Sequence, residues 1–275
     1  VNGKIETTVD QINALAVSIA EMNEKIVTAR GSASTAPPND LYDKRDELVR
    51  QLSEYVDVDV LKVDDTYNIS IGDGQPLVLK YDAARLEATP GLQDPFRMGV
   101  RYVSKTETAE ITDAFNGGSL KGLINFRNEA LSLAINSLGR IAVAFTEETN
   151  ATHKLGIDLE GRFGNDFFQD LNKPELTRQR VFAFQTNSLP NDNLFTVNFA
   201  DSSELTTSDY ILNVPGPENS RYEIIRKDDG EVVTAGALTN DYPQSYFFDG
   251  LELVLEAGTF SQGDSFTISP LRNVA

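Results

Sequence analysis

The chain has 275 residues, and its net charge of −18, from 24 basic and 42 acidic side chains, disfavours binding to the phosphate backbone of nucleic acids. It contains no cysteine, which excludes disulfides and thiolate metal sites. There is no run of about 18 apolar residues, so we expect no membrane-spanning helix. The acidic excess most simply keeps the protein soluble. The first residues, VNGKIETTVD, resemble the middle of a longer chain.

Two segments carry apolar residues spaced seven apart, which is typical of helices that pack along their length. In residues 5–29 this stripe consists of Ile5, Ile12, Ile19 and Ile26. In residues 119–150 it consists of Ile124, Leu131, Leu138 and Phe145, with Leu120, Ala134 and Ile141 at companion positions. Fully helical, the two segments are about 37 and 48 Å long. We expect each stripe to be buried, either on the other helix or on a helix outside this sequence.

The second segment also contains residues that interrupt its stripe. Ser119 is a candidate N-cap. Gly122 and Gly139 are unfavourable inside a helix, so we expect them to let another backbone come close. Arg127 stands where an apolar residue is expected. Either its stem packs while its head reaches solvent, or its guanidinium clamps a carboxylate and sets the register.

A short helix and a β region lie between the two striped segments. Residues 31–39 are small and Pro-rich, which predicts a loop. The next segment, 40–56, is an amphipathic helix with Asn39 or Asp40 as its cap. Residues 57–115 then alternate apolar and polar side chains, as in VDVDVLKV, which predicts three to five short antiparallel strands inserted between the helices. Within them Gly72-Asp73-Gly74 predicts a turn, because phosphate-binding loops need more glycines and a following helix.

Residues 151–172 are punctuated by glycines and predict a connecting segment. We expect its phenylalanines to act as anchors, namely Phe163, Phe167 and Phe168. Its acidic and amide residues do not have the spacing of a twelve-residue calcium loop, although oxygen ligands are available in Asp158, Glu160, Asn165 and Asp166. His153 is the sole histidine, and its place at a helix end predicts a surface or dipole-facing group.

The last part of the chain, residues 180–271, predicts eight strands. Asp229-Gly230 predicts a two-residue hairpin, and strands at this spacing form a small sandwich or barrel. We place the boundary at Lys173-Pro174. The predicted fold class is therefore α+β: an elongated helical-bundle domain at 1–172 with a small antiparallel β insertion at about 57–115, followed by an all-β sandwich or barrel-like domain at 173–275.

The sequence lacks the residue patterns of the common catalytic sites. A Ser–His–Asp triad would have to use His153, and the motifs of nucleophile elbows, zinc proteases and nucleotide-binding loops are missing. A pair of carboxylates for glycoside hydrolysis stays open, because 42 acidic residues make pairs inevitable, but the absence of tryptophan argues against a sugar cleft. We predict no enzyme, and no catalytic, cofactor-binding or metal-binding residues.

Four runs in the first 170 residues resemble the bacterial flagellar hook-associated protein 1 family, which forms the hook–filament junction. In order, they are SAS-TAPPNDLYDKRDELVRQLSEYVDVDV, NISIGDGQPLVL, GGSLKGLINFRNEAL and NATHKLGIDLEGRFGNDFF. The run FDGLELVLEAGTFSQGDSFTISP is similar to the end of that family's β domain. The resemblance implies that the sequence is a trimmed central fragment, which stops near Pro270-Leu271-Arg272-Asn273, where the family's return helix begins.

The resemblance implies a non-enzymatic structural subunit that joins hook to filament. It further implies export through the flagellar channel and assembly outside the cell, in the extracellular flagellum. The implied partners are the hook protein, the second hook-associated junction protein and further copies in a tube, with an export chaperone possible; nucleic acid, membranes and cofactors are not implied. The helical part is expected to face the tube wall and the β domain to project outward. The alternatives are another axial protein, such as the second junction protein or a flagellin-like protein, and an outward β domain that acts as an adhesin.

Overall fold

The computed structural model describes residues 1–31, 37–216, 221–239, 241–272 and 274. The fold is α+β, as predicted. The backbone packs into two compact units: the first unit comprises residues 1–91 and 95–129, and the second unit comprises 92–94 and 130–275. Part of the predicted loop at 31–39, residues 32–36, lies outside the described residues, as does Asn273.

Five α-helices lie in the described ranges: α1 (Asn2–Gly31), α2 (Asn39–Tyr55), α3 (Gly118–Asn125), α4 (Ser132–Lys154) and α5 (Pro174–Thr177). A π-helical segment, Phe126–Leu131, joins α3 to α4, and a 3₁₀ turn, Arg178–Arg180, follows α5. The striped segments and the helix predicted at 40–56 are therefore helical. The π-helical segment was not predicted.

The first unit contains two small antiparallel sheets. One has the strand order β1-β2-β3-β4, and the other has the order β5-β6-β7. Their strands are β1 (Val58–Val63), β2 (Thr66–Ile71), β3 (Gln75–Leu79), β4 (Asp82–Ala83), β5 (Arg85–Pro90), β6 (Met98–Val103) and β7 (Thr108–Glu110). The turn predicted at Gly72-Asp73-Gly74 joins β2 to β3, and the Gly74 N–H donates to the Ile71 carbonyl oxygen at 3.2 Å.

The second unit contains the eight strands predicted in the last part of the chain. They are β8 (Val181–Ala183), β9 (Leu194–Phe199), β10 (Tyr210–Asn213), β11 (Arg221–Arg226), β12 (Val232–Ala237), β13 (Gln244–Phe248), β14 (Leu251–Ala257) and β15 (Ser265–Ile268). They form a five-stranded sheet, β12-β11-β10-β15-β8, and a three-stranded sheet, β13-β14-β9. Apolar side chains of both sheets share one core, which is the arrangement of a sandwich. A hairpin at Asp229-Gly230 joins β11 to β12, but residues 227–231 separate the strands, so its loop is longer than the two residues predicted.

The stripe of α1 is completely buried in the first unit. Its four isoleucines have no exposed surface and pack with α2, α3 and the strands of the inserted sheets. Of the second stripe, only Leu120 and Ile124 belong to this core. The expectation that the two stripes pack on each other is therefore wrong beyond these two residues, because the β insertion supplies most of the surface that covers α1.

Two asparagines on α1 bind the backbone of the inserted sheets through paired hydrogen bonds, as a neighbouring strand would. Asn13 exchanges two hydrogen bonds with the backbone of Leu86, both of 2.8 Å. Asn23 does the same with Tyr67, and its amide also donates to the Lys80 carbonyl oxygen at 2.7 Å. These bonds fix the register of the sheets on the helix.

The buried guanidinium of Arg45 connects α1, α2 and the turn after β1. It donates to the side-chain oxygen of Asn23 at 3.1 Å and to the carbonyl oxygen of Asp65 at 2.7 Å. It also lies 3.5 Å from the centre of the Tyr67 ring, a favourable cation–π contact. The sequence shows Arg45 only as part of a charged helix face, so its burial was not predicted.

The division between the units lies at residues 129–130, whereas the sequence placed a domain boundary at Lys173-Pro174. The sequence boundary follows the change from helix to strand, but packing assigns α4 to the second unit. The side chain of Asn136 donates to the Thr207 carbonyl oxygen at 2.9 Å, and Val143 lies in the core of the sandwich.

Both predicted helix caps are wrong. The residue before α2 is Pro38, and no side chain caps that helix. The residue before α3 is Gly117, again without a side-chain cap. Gly118 adopts a φ of +78° at the start of α3, and a Cβ there would collide with the backbone of Tyr55. A glycine is therefore required at the position where the sequence suggested that Ser119 begins the helix.

Candidate assembly surface

The helix α4 has two faces of unexpected composition. Its buried residues are Asn136, Gly139, Val143 and Asn150. With about 100° between successive residues, these four lie on one side of the helix. Gly139 serves the role predicted for it, because a Cβ at this position would collide with the carbonyl oxygen of Leu271. Small and amide side chains thus face the core of the second unit.

The apolar stripe of α4 is exposed. Ile141 is 66% exposed and Phe145 is 61% exposed, and Leu133 and Leu138 are more than half exposed. Leu138, Ile141 and Phe145 are three and four residues apart, so they form one continuous ridge. The alternative that this part of the stripe packs on the helix at 5–29 is therefore wrong, and the alternative that a helix outside this sequence covers it stays a prediction. We name the ridge of Leu138, Ile141 and Phe145 the α4 ridge.

A second group of exposed apolar side chains follows α4 directly. We name residues 155–167 the apolar hairpin, because Ile157 and Phe163 form an antiparallel β-bridge. Leu159 at its tip is fully exposed, and Phe163 is 71% exposed. Leu155, Ile157 and Phe167 are also mostly exposed. The prediction that the phenylalanines act as anchors is wrong for Phe163.

Polar groups hold the shape of the apolar hairpin. The Asp158 carboxylate accepts hydrogen bonds from the backbone N–H groups of Glu160 and Arg162 at 2.9 and 2.8 Å, and these bonds lower the pKa of Asp158. The Arg162 guanidinium contacts Asp158 at 3.0 Å and Glu160 at 2.9 Å. An isolated two-stranded hairpin has little stability of its own in water, so these bonds take the place of an apolar core.

The buried side chain of Asn150 fastens the end of the hairpin to α4. Its oxygen accepts the N–H groups of Phe167 and Phe168 at 2.9 and 2.8 Å, and its amide donates to the Phe168 carbonyl oxygen at 3.1 Å. The Phe168 ring lies 5.6 Å from the Phe145 ring and 4.9 Å from the Phe167 ring. These rings link the α4 ridge to the apolar hairpin. In the sequence, Asn150 is simply the last residue of the striped segment 119–150, and its role was not predicted.

The oxygen-rich residues of this segment are occupied by other contacts. Asp166 pairs with Lys154 at 2.7 Å. His153 is exposed in the last turn of α4, as predicted, and its Nδ1 lies 2.6 Å from the carbonyl oxygen of Asn165. In the part of the chain that the structure describes, no three histidine or acidic side chains come together as metal ligands. Over the same residues, no helix is long and apolar enough to cross a membrane.

Arg127 differs from the first of the two roles considered for it, and the carboxylate clamp stays a prediction. It is buried in the π-helical segment, and its Nη1 donates to the Met98 carbonyl oxygen at 2.5 Å within the first unit. The side chain therefore does not extend into solvent. Gly122 also differs, because a Cβ there would meet nothing within 4 Å.

Comparison with known proteins assigns the family. A model described as the flagellar hook-associated protein FlgK helical domain matches residues 1–168, and one described as the flagellar hook-associated protein 1, D2-like domain matches residues 185–270. Flagellar hook-associated protein 1 of Escherichia coli (strain K12) is 36% identical over 98% of this chain and 47% of the relative. That of Salmonella typhimurium is 35% identical over 99% of this chain and 47% of the relative.

A solved structure shows the same fold. The flagellar hook junction protein FlgK from Burkholderia pseudomallei matches with a TM-score of 0.82 and 31% identity, over 99% of this chain and 47% of that chain. The chain spans about half the length of the relatives that it matches. The resemblance drawn from the four sequence runs is confirmed, and the chain belongs to the flagellar hook-associated protein 1 family.

Proposed function

We propose that this chain serves in a non-enzymatic structural subunit that joins hook to filament in the bacterial flagellum. The observation that carries the proposal is the α4 ridge, an apolar face at helix-packing spacing that points away from the core of its own unit. Its relatives are named for the hook and its junction. A structural role needs extended packing surfaces, and catalysis does not.

The α4 ridge suits a helical partner. Large apolar residues at alternating three- and four-residue spacing, as in the α4 ridge, are the ones that enter the gaps between side chains of a facing helix. Burying the exposed surface of these residues stabilises an assembly by roughly 25 cal/mol for each Å² removed from water. We infer that the ridge packs against a further helix of the assembled axial structure.

We further propose the cellular setting, the partners and the domain roles of the subunit. The protein acts outside the cell after export, and its partners are the hook protein, the second junction protein and further copies of itself. Residues 1–172 serve as the helical part and 173–275 as the β part of the subunit. Long homopolymers of the purified protein would instead indicate a flagellin-like protein.

Electron microscopy of hook fragments tests this function. The full-length protein, added to purified hooks, is expected to cap them or extend them by a short zone. A variant with Leu138→Asp and Phe145→Asp is expected to leave hook ends bare, because two charges cannot be buried in a helix interface. Leu189→Asp, at an exposed position of the second unit outside the ridge, is the control and should behave as the wild type. Bare hook ends with the wild-type protein would reject the function.

A further inference from the structure

We propose that the apolar hairpin of one subunit docks into an open cavity in the first unit of a second copy of this chain. The proposal rests on the proposed structural function and adds to it a named contact and a named partner. Both halves of the contact are present on every copy, so one docking step can repeat.

The apolar hairpin has the properties of a preformed docking element. Its backbone is ordered by Asp158, Arg162 and Asn150, while Leu159 and Phe163 contribute almost nothing to the core of their own chain. Ordering a loop before it binds lowers the entropy lost on association. Aromatic side chains such as Phe163 are enriched in protein interfaces relative to the rest of the surface.

The receiving cavity lies between β3, β4 and the strands β5 and β6 of the first unit. It has a volume of about 470 Å³ and is open on one side. Its apolar wall includes Pro76, Leu79, Ala83, Tyr102 and Val103. The Tyr102 hydroxyl donates to the Pro76 carbonyl oxygen at 2.8 Å, so its polar atom is already satisfied. A cavity of this size and lining can receive one or two apolar side chains.

Charge at the two surfaces permits the approach of a second acidic copy. Copies with a net charge of −18 repel each other, and a contact is least opposed where a basic side chain of one copy faces an acidic group of the other. In the hairpin, Arg162 pairs with both Asp158 and Glu160, which leaves one negative charge in excess there. At the cavity rim, Lys105 pairs with Asp82 at 2.7 Å, and both side chains are mostly exposed. Such exposed pairs are weak, so Lys105 can exchange Asp82 for Glu160 of the incoming hairpin.

The geometry of such a contact is head-to-tail. A protrusion and a cavity on different parts of one chain are not the same patch, so the interface does not close on itself in a pair of copies. Repetition gives a ring when the rotation closes and a helix when it does not. Either outcome produces a zone of subunits around an axis, as a junction requires.

Disulfide cross-linking tests the contact, because the sequence provides a cysteine-free background. The full-length variant with Leu159→Cys and Leu79→Cys is assembled on hook fragments and oxidised. We expect a ladder of covalent oligomers that reductant abolishes. The control pairs Leu79→Cys with Leu189→Cys, which is also highly exposed, and should remain monomeric.

A second variant tests the contact even if the cysteine variants fail to assemble. Leu159→Asp places a charge on a fully exposed side chain, so the fold is retained, and we expect at least a tenfold loss of copies added to each hook end. An assembled double-cysteine protein with no ladder, or with only internally cross-linked monomer, would overturn the contact. Wild-type addition by Leu159→Asp would overturn it as well. If the wild-type protein extends hooks, either of these results rejects only the hairpin contact. If the wild-type protein leaves hooks bare, the proposed function itself is rejected.

Discussion

Helices α1 and α4 carry the same kind of apolar stripe and use it in opposite ways. The isoleucines of α1 have no contact with solvent, whereas the α4 ridge is more than half exposed. The side of α4 that faces its unit consists of Asn136, Gly139, Val143 and Asn150. A seven-residue apolar period therefore identifies a helix that is built for packing, and it does not identify the surface that covers it.

The π-helical segment explains part of this difference. A π turn contains more residues than an α turn, so a seven-residue spacing across it does not keep side chains on one face. Ile124 precedes the segment Phe126–Leu131 and is buried, while Leu138 follows it and is exposed. The periodic count along the sequence assumes an unbroken α-helix and cannot detect the extra residue.

The largest expected effect separates the two stripes directly. Ile12→Ala removes a fully buried side chain from the core of the first unit and should lower the free energy of unfolding by about 2–5 kcal/mol. Ile141→Ala, the matched change on the α4 ridge, should alter it by no more than about 0.5 kcal/mol. Urea unfolding of the isolated chain, followed by circular dichroism, measures both. Equal losses would mean that the α4 ridge is covered in solution.

An intermediate effect compares two glycines of the helices α3 and α4. Gly139→Ala forces a methyl group against the Leu271 carbonyl oxygen, and this overpacking should cost about 1–3 kcal/mol. Gly122→Ala meets open space in a helix and should stabilise the chain by about 0.5–1 kcal/mol, because alanine loses less backbone entropy. Thermal unfolding of the two variants should therefore shift in opposite directions. Shifts of the same sign would contradict the close approach of the Leu271 carbonyl oxygen to Gly139 of α4.

The smallest expected effect concerns the core of the second unit. Burial raises the pKa of Tyr246 to about 12, and its hydroxyl donates to Gln244 at 2.6 Å. The unfolded chain, with a tyrosine pKa near 10, loses this proton first, so the stability is complete below about pH 10 and falls as the pH rises toward 12. At pH 11 the loss is about 1.4 kcal/mol for this group.

Unfolding free energies at pH 9 and pH 11 measure this loss. Between pH 9 and pH 11, the free energy of unfolding of Tyr246→Phe should fall by about 1.4 kcal/mol less than that of the wild type. Burial also raises the pKa of Tyr210, so part of the alkaline destabilisation should persist in this variant. An unchanged pH dependence in Tyr246→Phe would show that its hydroxyl is accessible in the folded protein.

Local sequence patterns predicted most of the secondary structure, because helices, strands and turns depend largely on neighbouring residues. Alternation identified the eight strands of the second unit, and glycine placed the turns at Gly72-Asp73-Gly74 and Asp229-Gly230. The buried polar groups were not predicted. Asn13, Asn23 and Arg45 look like ordinary helix residues, and their roles depend on backbone atoms 20 to 73 positions away. No local pattern reports such partners.

The candidate assembly surface was predicted only in part. The sequence placed an apolar stripe at 119–150 and phenylalanines at 163, 167 and 168, but it assigned them to packing within the chain. Only the folded chain shows that Leu159 is fully exposed and Phe163 mostly exposed. The domain boundary depends on packing in the same way, because α4 belongs to the second unit by contact and to the helical part by composition.

The sequence by itself determined the helices, the strands, their turns and the family, because periodicity, turn chemistry and ordered motifs are properties of neighbouring residues. The tertiary structure alone decided which apolar stripe is buried, which arginines and asparagines enter the core, and where one unit ends. The physical reason is that burial is a relation between surfaces brought together from distant parts of the chain, and hydrophobicity records only the tendency of each surface to leave water.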